Sequence, residues 1–95
     1  MSEEGTKGPE GGELLQFPTD YPIKVVGRAS DTLRREVDAV IARHVPDFVL
    51  AQASERASAN GNFVSISYNI HAVSAEQVTA LAADLAACEG VVLVI

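Results

Sequence analysis

The sequence has no tryptophan, two tyrosines and three phenylalanines, so any large stacking surface for bases or sugars would have to be built from very few rings. It has one cysteine, Cys88, which excludes an internal disulfide and fits a reducing, cytoplasmic setting. Basic residues are scarce: seven Lys and Arg stand against thirteen Asp and Glu, for a net charge of −6. That balance opposes nonspecific binding to nucleic acid or to an anionic membrane surface, without excluding a local basic patch. No apolar run approaches the length of a membrane span, and no cationic stretch followed by an apolar one reads as a secretion signal. Apolar side chains are missing from residues 2–12, SEEGTKGPEGG, which cannot bury enough surface to offset their ordering entropy. Residues 1–12 are therefore expected to be a disordered tail, and residues 13–95 a single domain large enough to hold together without metal or disulfide.

What is present is well patterned. Tyr21–Arg28 alternates Ile23, Val25 and Gly27 with Pro22, Lys24 and Val26, which predicts a strand with one buried face. Ser30 or Asp31 offers an N-cap oxygen to a helix over Thr32–His44, whose buried stripe is Leu33, Val37, Val40 and Ile41. Pro46 ends that helix. FVLAQA, residues 48–53, reads as a second, edge strand, and SERASANGN, residues 54–62, as a long hairpin loop. Phe63–Ala72 is the clearest strand: Val64, Ile66, Tyr68, Ile70 and Ala72 fall on one face, and Phe63, Ser65, Ser67, Asn69 and His71 on the other. Ser74 and Gln77 form a capping-box pattern before a helix over Ala75–Cys88, striped by Val78, Leu81, Leu85 and Cys88. Gly90 stops it, and VVLVI finishes the chain as a strand.

The order β-α-β-β-α-β, with two singly striped helices, requires both helices on one face of one sheet. Right-handed crossovers then favour an α+β, ferredoxin-like fold: a four-stranded antiparallel sheet with strands one and three in the centre. The uncovered face would present Lys24, Val26, Ser65, Ser67, Asn69, His71 and half of VVLVI. It is the candidate interface, for a protein partner or a second copy of the chain.

Other chemistries find little support. His44, His71 and Cys88 lie on three separate elements, so no metal site or cofactor is expected. Ser65 and Ser67 share a strand face with His71 but lack a third catalytic member and an oxyanion loop. The loop Gly27-Arg28-Ala29-Ser30-Asp31 lacks the second glycine and the Phe-Arg continuation of acylphosphatase phosphate loops. Phe63-Val64 sits where RNA recognition motifs place a signature, yet has no preceding basic residue and no second exposed ring. ACT-type regulatory domains bind amino acids after their first strand. Gly27, Ser30 and Asp31 occupy that region, where a glycine admits a ligand to the backbone and a helix N-terminus favours a carboxylate.

ELLQFPTDYPIKVVG, GNFVSISYNIHA, EQVTAL and the terminal hydrophobic strand, in that order from Glu13 to Ile95, resemble the YbeD family of small bacterial proteins. The Phe17-Pro18-Thr19, Lys24-Val25-x-Gly27 and Gly61-Asn62-Phe63 steps carry the resemblance. It implies a ferredoxin-like fold similar to ACT domains, with a suggested role in allosteric regulation and a gene context near lipoate biosynthesis. The family offers no catalytic residue to carry over. The expectation is a non-enzymatic regulatory or protein-interaction module, with a small metabolite, as in ACT-like domains, as its candidate ligand. An RNA-binding module and a small enzyme using Ser67, Asn69 and His71 remain as alternatives. Leu14, Leu15 and Phe17 are expected to clasp one end of the sheet.

Overall fold

The computed structural model describes residues 16–95. The expected tail, the domain start at Glu13, and Leu14 and Leu15 lie outside the described residues. The elements are β1 (Thr19–Arg28), α1 (Leu33–His44), a 3₁₀ turn (Leu50–Gln52), β2 (Ser54–Ala57), β3 (Phe63–Ala72), α2 (Ala75–Ala87) and β4 (Val91–Val94). The sheet runs β2-β3-β1-β4, every neighbouring pair antiparallel. β1 and β3 are central, as the ferredoxin-like reading requires.

The period-two pattern sets the sheet's register. Ile23 faces Tyr68, Val25 faces Ile66, and Gly27 faces Val64 on the helix-covered side. Leu33, Val37, Val40 and Ile41 from α1, and Leu81 and Leu85 from α2, bury against them. Phe17 packs against this core and is only half-buried. Fully burying aliphatic side chains of this kind stabilises by about 1.5–3 kcal/mol each, which is why two short helices hold to one sheet.

The caps follow the sequence closely. Of the two offered N-cap oxygens, Ser30 supplies the bond: its Oγ accepts from the Leu33 N–H at 3.1 Å. Ser74 Oγ accepts from the Gln77 N–H at 3.1 Å, while Gln77 Oε1 accepts from the Val73 N–H at 2.7 Å. The Gln77 Nε2 also donates to the His44 carbonyl at 3.0 Å, tying the start of α2 to the end of α1. Gly90, with φ +90°, turns the chain from α2 into β4.

One expectation is overturned. FVLAQA does not form the second strand, and residues 54–62 are not one loop. The edge strand is Ser54–Ala57, exposed along its whole length, and the hairpin connection shrinks to residues 58–62. The apolar residues of FVLAQA close one end of the core instead. Phe48, Leu50 and Ala53 pack against it, with the Phe48 ring edge-on to Tyr68 at a centroid distance of 5.6 Å. The short connection is held by side chains: Ser58 Oγ accepts from the Phe63 N–H and Asn60 Oδ1 from the Asn62 N–H, each at 3.1 Å.

A polar network secures the edge strand. The Arg34 guanidinium donates to both Asp38 carboxylate oxygens at 2.9 Å, to Glu55 Oε1 at 2.9 Å and to the Leu50 carbonyl at 3.2 Å. The hydroxyl of buried Tyr68 donates to Asp38 as well, at 2.5 Å. Burial first, then the adjoining carboxylate, hold that phenol far above its ordinary pKa.

Candidate functional site

α1 and α2 sit on one side, so among the described residues the other face of the sheet is open. The six expected interface residues come together there. Lys24 pairs with Ser67, Val26 with Ser65, Pro22 with Asn69 and Asp20 with His71 across the β1–β3 ladder. Parity adds Ser54 and Arg56 from β2, opposite Ser67 and Ser65, and Leu93 from β4, opposite Val26. Ile95 joins them, its backbone exchanging bonds of 2.7 and 2.9 Å with Lys24.

The result is an aliphatic strip of Val26, Leu93 and Ile95 bordered by hydroxyls, with Lys24 and Arg56 as cations and the Asp20–His71 pair, 3.6 Å apart, at the far end. Two shallow depressions mark it. One of about 380 Å³ is bounded by Pro22, Lys24, Gln52, Ser67, Asn69 and Ile95. The second, about 400 Å³, lies among Lys24, Ser54, Arg56, Ser65 and Ser67. Ser54 and Arg56 escaped the sequence reading because their strand was placed six residues early.

The geometry weighs on the catalytic alternative. Ser67 and His71 are four residues apart on one strand, about 13 Å by the strand rise, far beyond hydrogen-bond reach. Phe63 is the aromatic residue that strand parity puts on the open face, while Tyr68 points into the core.

The other expected site divides. Gly27 is buried, and a Cβ there would meet the Gly90 carbonyl oxygen at 2.9 Å and both Leu33 methyls at 3.0 Å. The space beside this glycine is filled by the protein's own atoms. Ser30 caps α1, and Asp31 is exposed. Nearby, Arg28, Ser30, Thr32, Glu36, Glu89 and Gly90 enclose a depression of about 280 Å³ with charges of both signs. Glu36 and Glu89 were not singled out in the sequence, since they belong to elements that only folding brings to that loop.

His44, Cys88 and His71 remain apart. His44 Nε2 lies 2.6 Å from Asp84 Oδ2 and joins the two helices; this hydrogen bond, foremost, holds the Asp84 carboxyl below the usual aspartate pKa. Cys88 is half-buried after α2, and burial raises its thiol pKa. Among the described residues no group of three or more His, Cys, Asp or Glu is placed to hold a metal, and no helix is long and apolar enough to cross a membrane.

The element order and sheet topology define a ferredoxin-like α+β fold. Solved structures similar to it include an uncharacterized protein from Thermotoga maritima (TM-score 0.62, 16% identity, 80% of this chain and 92% of that one). The ACT domain from GTP pyrophosphokinase of Chlorobium tepidum is also similar (TM-score 0.57, 21% identity, 81% and 97%). At these identities the likeness speaks for the fold alone. By sequence, residues 12–95 match the family described as "Protein of unknown function (DUF493)", and the chain belongs to that family. It is similar to UPF0250 proteins from Shewanella woodyi, 48% identical over 80 residues, and Shewanella loihica, 47% identical over 79, covering 83% of this chain and 88% of each relative. The resemblance to YbeD-type proteins is thereby borne out.

Proposed function

We propose that the domain is a non-enzymatic regulatory or protein-interaction module that docks on a partner protein through the open face of its sheet. The observation that carries this reading is the gathering of half-buried Val26 and exposed Leu93 and Ile95 into one strip, flanked by Lys24 and Arg56 and, among the described residues, left without a helix above it. A mixed aliphatic and polar surface with cations at its rim suits a protein interface. The separation of Ser67 from His71 leaves the enzymatic reading without a nucleophile–base pair.

The test is site-specific crosslinking in cells. A photoreactive residue at Ser67 should give a discrete protein adduct that Leu93→Glu abolishes, and one at Ala83, on the exposed side of α2, should give none. Adducts of equal yield from both positions, or none from Ser67, would refute the docking reading.

A second reading rests on the depression beside Ser30. Arg28, with Glu36 and Glu89, offers partners for the carboxylate and ammonium of an amino acid. Titrating the isotope-labelled protein with pooled amino acids and lipoate precursors should then shift the amides of Arg28, Ser30, Asp31 and Glu89. Unmoved amides there exclude it.

A further inference from the structure

The outer edge of β3 is only partly covered. β2 pairs with its first half: Ser58 N–H donates to the Phe63 carbonyl at 2.8 Å, and Arg56 and Ser54 stand opposite Ser65 and Ser67. In an antiparallel ladder every second residue turns its N–H and C=O to the same edge, so Asn69 and His71 continue the series. Gln52 would be the next partner, but it belongs to the 3₁₀ turn, where its N–H donates to the Val49 carbonyl at 2.9 Å. Among the described residues the ladder therefore stops at Ser67, two unpaired positions before the end of β3. Val73, the following member, gives its N–H to Gln77.

Beside this bare edge lies a groove of about 330 Å³, walled by residues 45–49 and by Asn69, His71 and Val73. Two of its aliphatic side chains are open: Val49 is 54% exposed and Val73 is 58% exposed. Asp47 is in the lining, Asp20 stands 3.6 Å from His71, and among the described residues no Lys or Arg lines the groove. The groove therefore offers backbone positions for an extended chain, aliphatic contact for alternate side chains, the Asp47 carboxylate in its wall, and Asp20 beyond His71 on β1.

We propose that this stretch of β3, from Asn69 to Val73, takes an extended basic segment of a partner protein as an added strand. Main-chain bonds to Asn69 and His71 would set its course, an aliphatic residue would meet Val49 and Val73, and Lys or Arg would face Asp47 and Asp20. Charge selects a foreign partner. The chain's own residues 1–15 carry Glu3, Glu4, Glu10 and Glu13 against Lys7, and a second copy presents the same acidic surface. Like charges at a docking site disfavour both.

The probe is an N-acetylated, C-amidated heptapeptide of alternating lysine and valine, titrated into the isotope-labelled full chain. Saturable amide shifts are expected at Asn69, His71 and Val73 and along Asp47–Val49. The glutamate–valine counterpart should give none, as should a lysine–valine peptide N-methylated at alternate residues. Asp47→Asn should weaken binding about threefold, the scale of one exposed ion pair. Equal shifts from both charge variants, shifts confined to Ser65 and Ser67, or no shifts at all would overturn the proposal. So would binding seen only after removal of residues 1–15, which identifies the chain's own tail as occupant, or concentration-dependent shifts without peptide, which identify a second copy. The open-face reading is separate: crosslinks at Ser67 without peptide binding would leave it standing and this inference refuted.

Discussion

Replacing Gly27 with alanine tests a close contact between β1, α1 and the turn into β4. The added methyl would lie 2.9 Å from the Gly90 carbonyl oxygen and 3.0 Å from two Leu33 methyls. Leu33 is buried at 2% exposure and cannot swing aside, and the carbonyl accepts the Arg28 N–H at 2.8 Å. Overpacking of this kind costs about 1–3 kcal/mol. Displacing the carbonyl weakens a ladder bond worth about 0.5–1.5 kcal/mol. The reduced freedom of the unfolded chain offsets about 0.4–1 kcal/mol of this. A net loss of about 1–3 kcal/mol corresponds to a fall in Tm of roughly 5–20 °C for a domain of this size. Thermal and urea unfolding followed by circular dichroism measure it. Leu33→Val in the same chain should restore part of the loss, so that the double variant is more stable than the sum of the single effects by about 0.5–2 kcal/mol. A Gly27→Ala protein as stable as the parent, or strict additivity with Leu33→Val, would refute the reasoning.

Three further perturbations report on other parts of the molecule. Tyr68→Phe removes the hydroxyl from Asp38 but leaves Arg34 in place, so urea unfolding should show a loss of about 1–2 kcal/mol, the scale of a hydrogen bond to a charged group. Asp84→Asn removes a carboxylate whose pKa is lowered in the folded state, chiefly by His44. Such a group stabilises the fold above the ordinary aspartate pKa of 3.8, and that contribution fades as pH falls through the lower folded value. The parent should therefore exceed the variant in urea midpoint at pH 6, with the gap closing in acid below the ordinary aspartate value of 3.8. Deleting residues 1–12 should leave Tm unchanged, whereas Phe17→Ala should lower it, because the ring packs against the core.

Most of the architecture was legible because burial on one side writes itself into the residues. β3 alternates apolar and polar residues from Val64 to Ala72, and each helix carries one stripe. The edge strand escaped because it has no fully buried side. Glu55 turns toward the helices, yet it is satisfied there by Arg34 and not by apolar contact, so Ser-Glu-Arg-Ala shows no hydrophobic period. The apolar FVLAQA imitated a strand because core closure and strand pairing both favour Phe, Val and Leu. Of the sites, the open face followed from strand parity. The purpose of Gly27 did not, since only packing reveals that Leu33 and Gly90 occupy its side-chain space. The bare edge beyond Ser67 was hidden for the same reason as β2: it depends on where a polar edge strand ends.

Arg34 gives the molecule an order of coming apart. One guanidinium reaches α1's own Asp38, the 3₁₀ turn at Leu50 and β2 at Glu55, and Asp38 in turn receives Tyr68 from the centre of the sheet. β2 has no buried residue of its own, so its attachment depends on the ladder with β3 and on this one cation. Amide hydrogen exchange should accordingly show the turn and β2 opening together, as a single unit ahead of β1 and the rest of β3. Arg34→Met should raise the exchange rate of that unit while leaving the central strands protected. The cation is a latch on the sheet's outermost strand, and the core keeps its structure when the latch lifts.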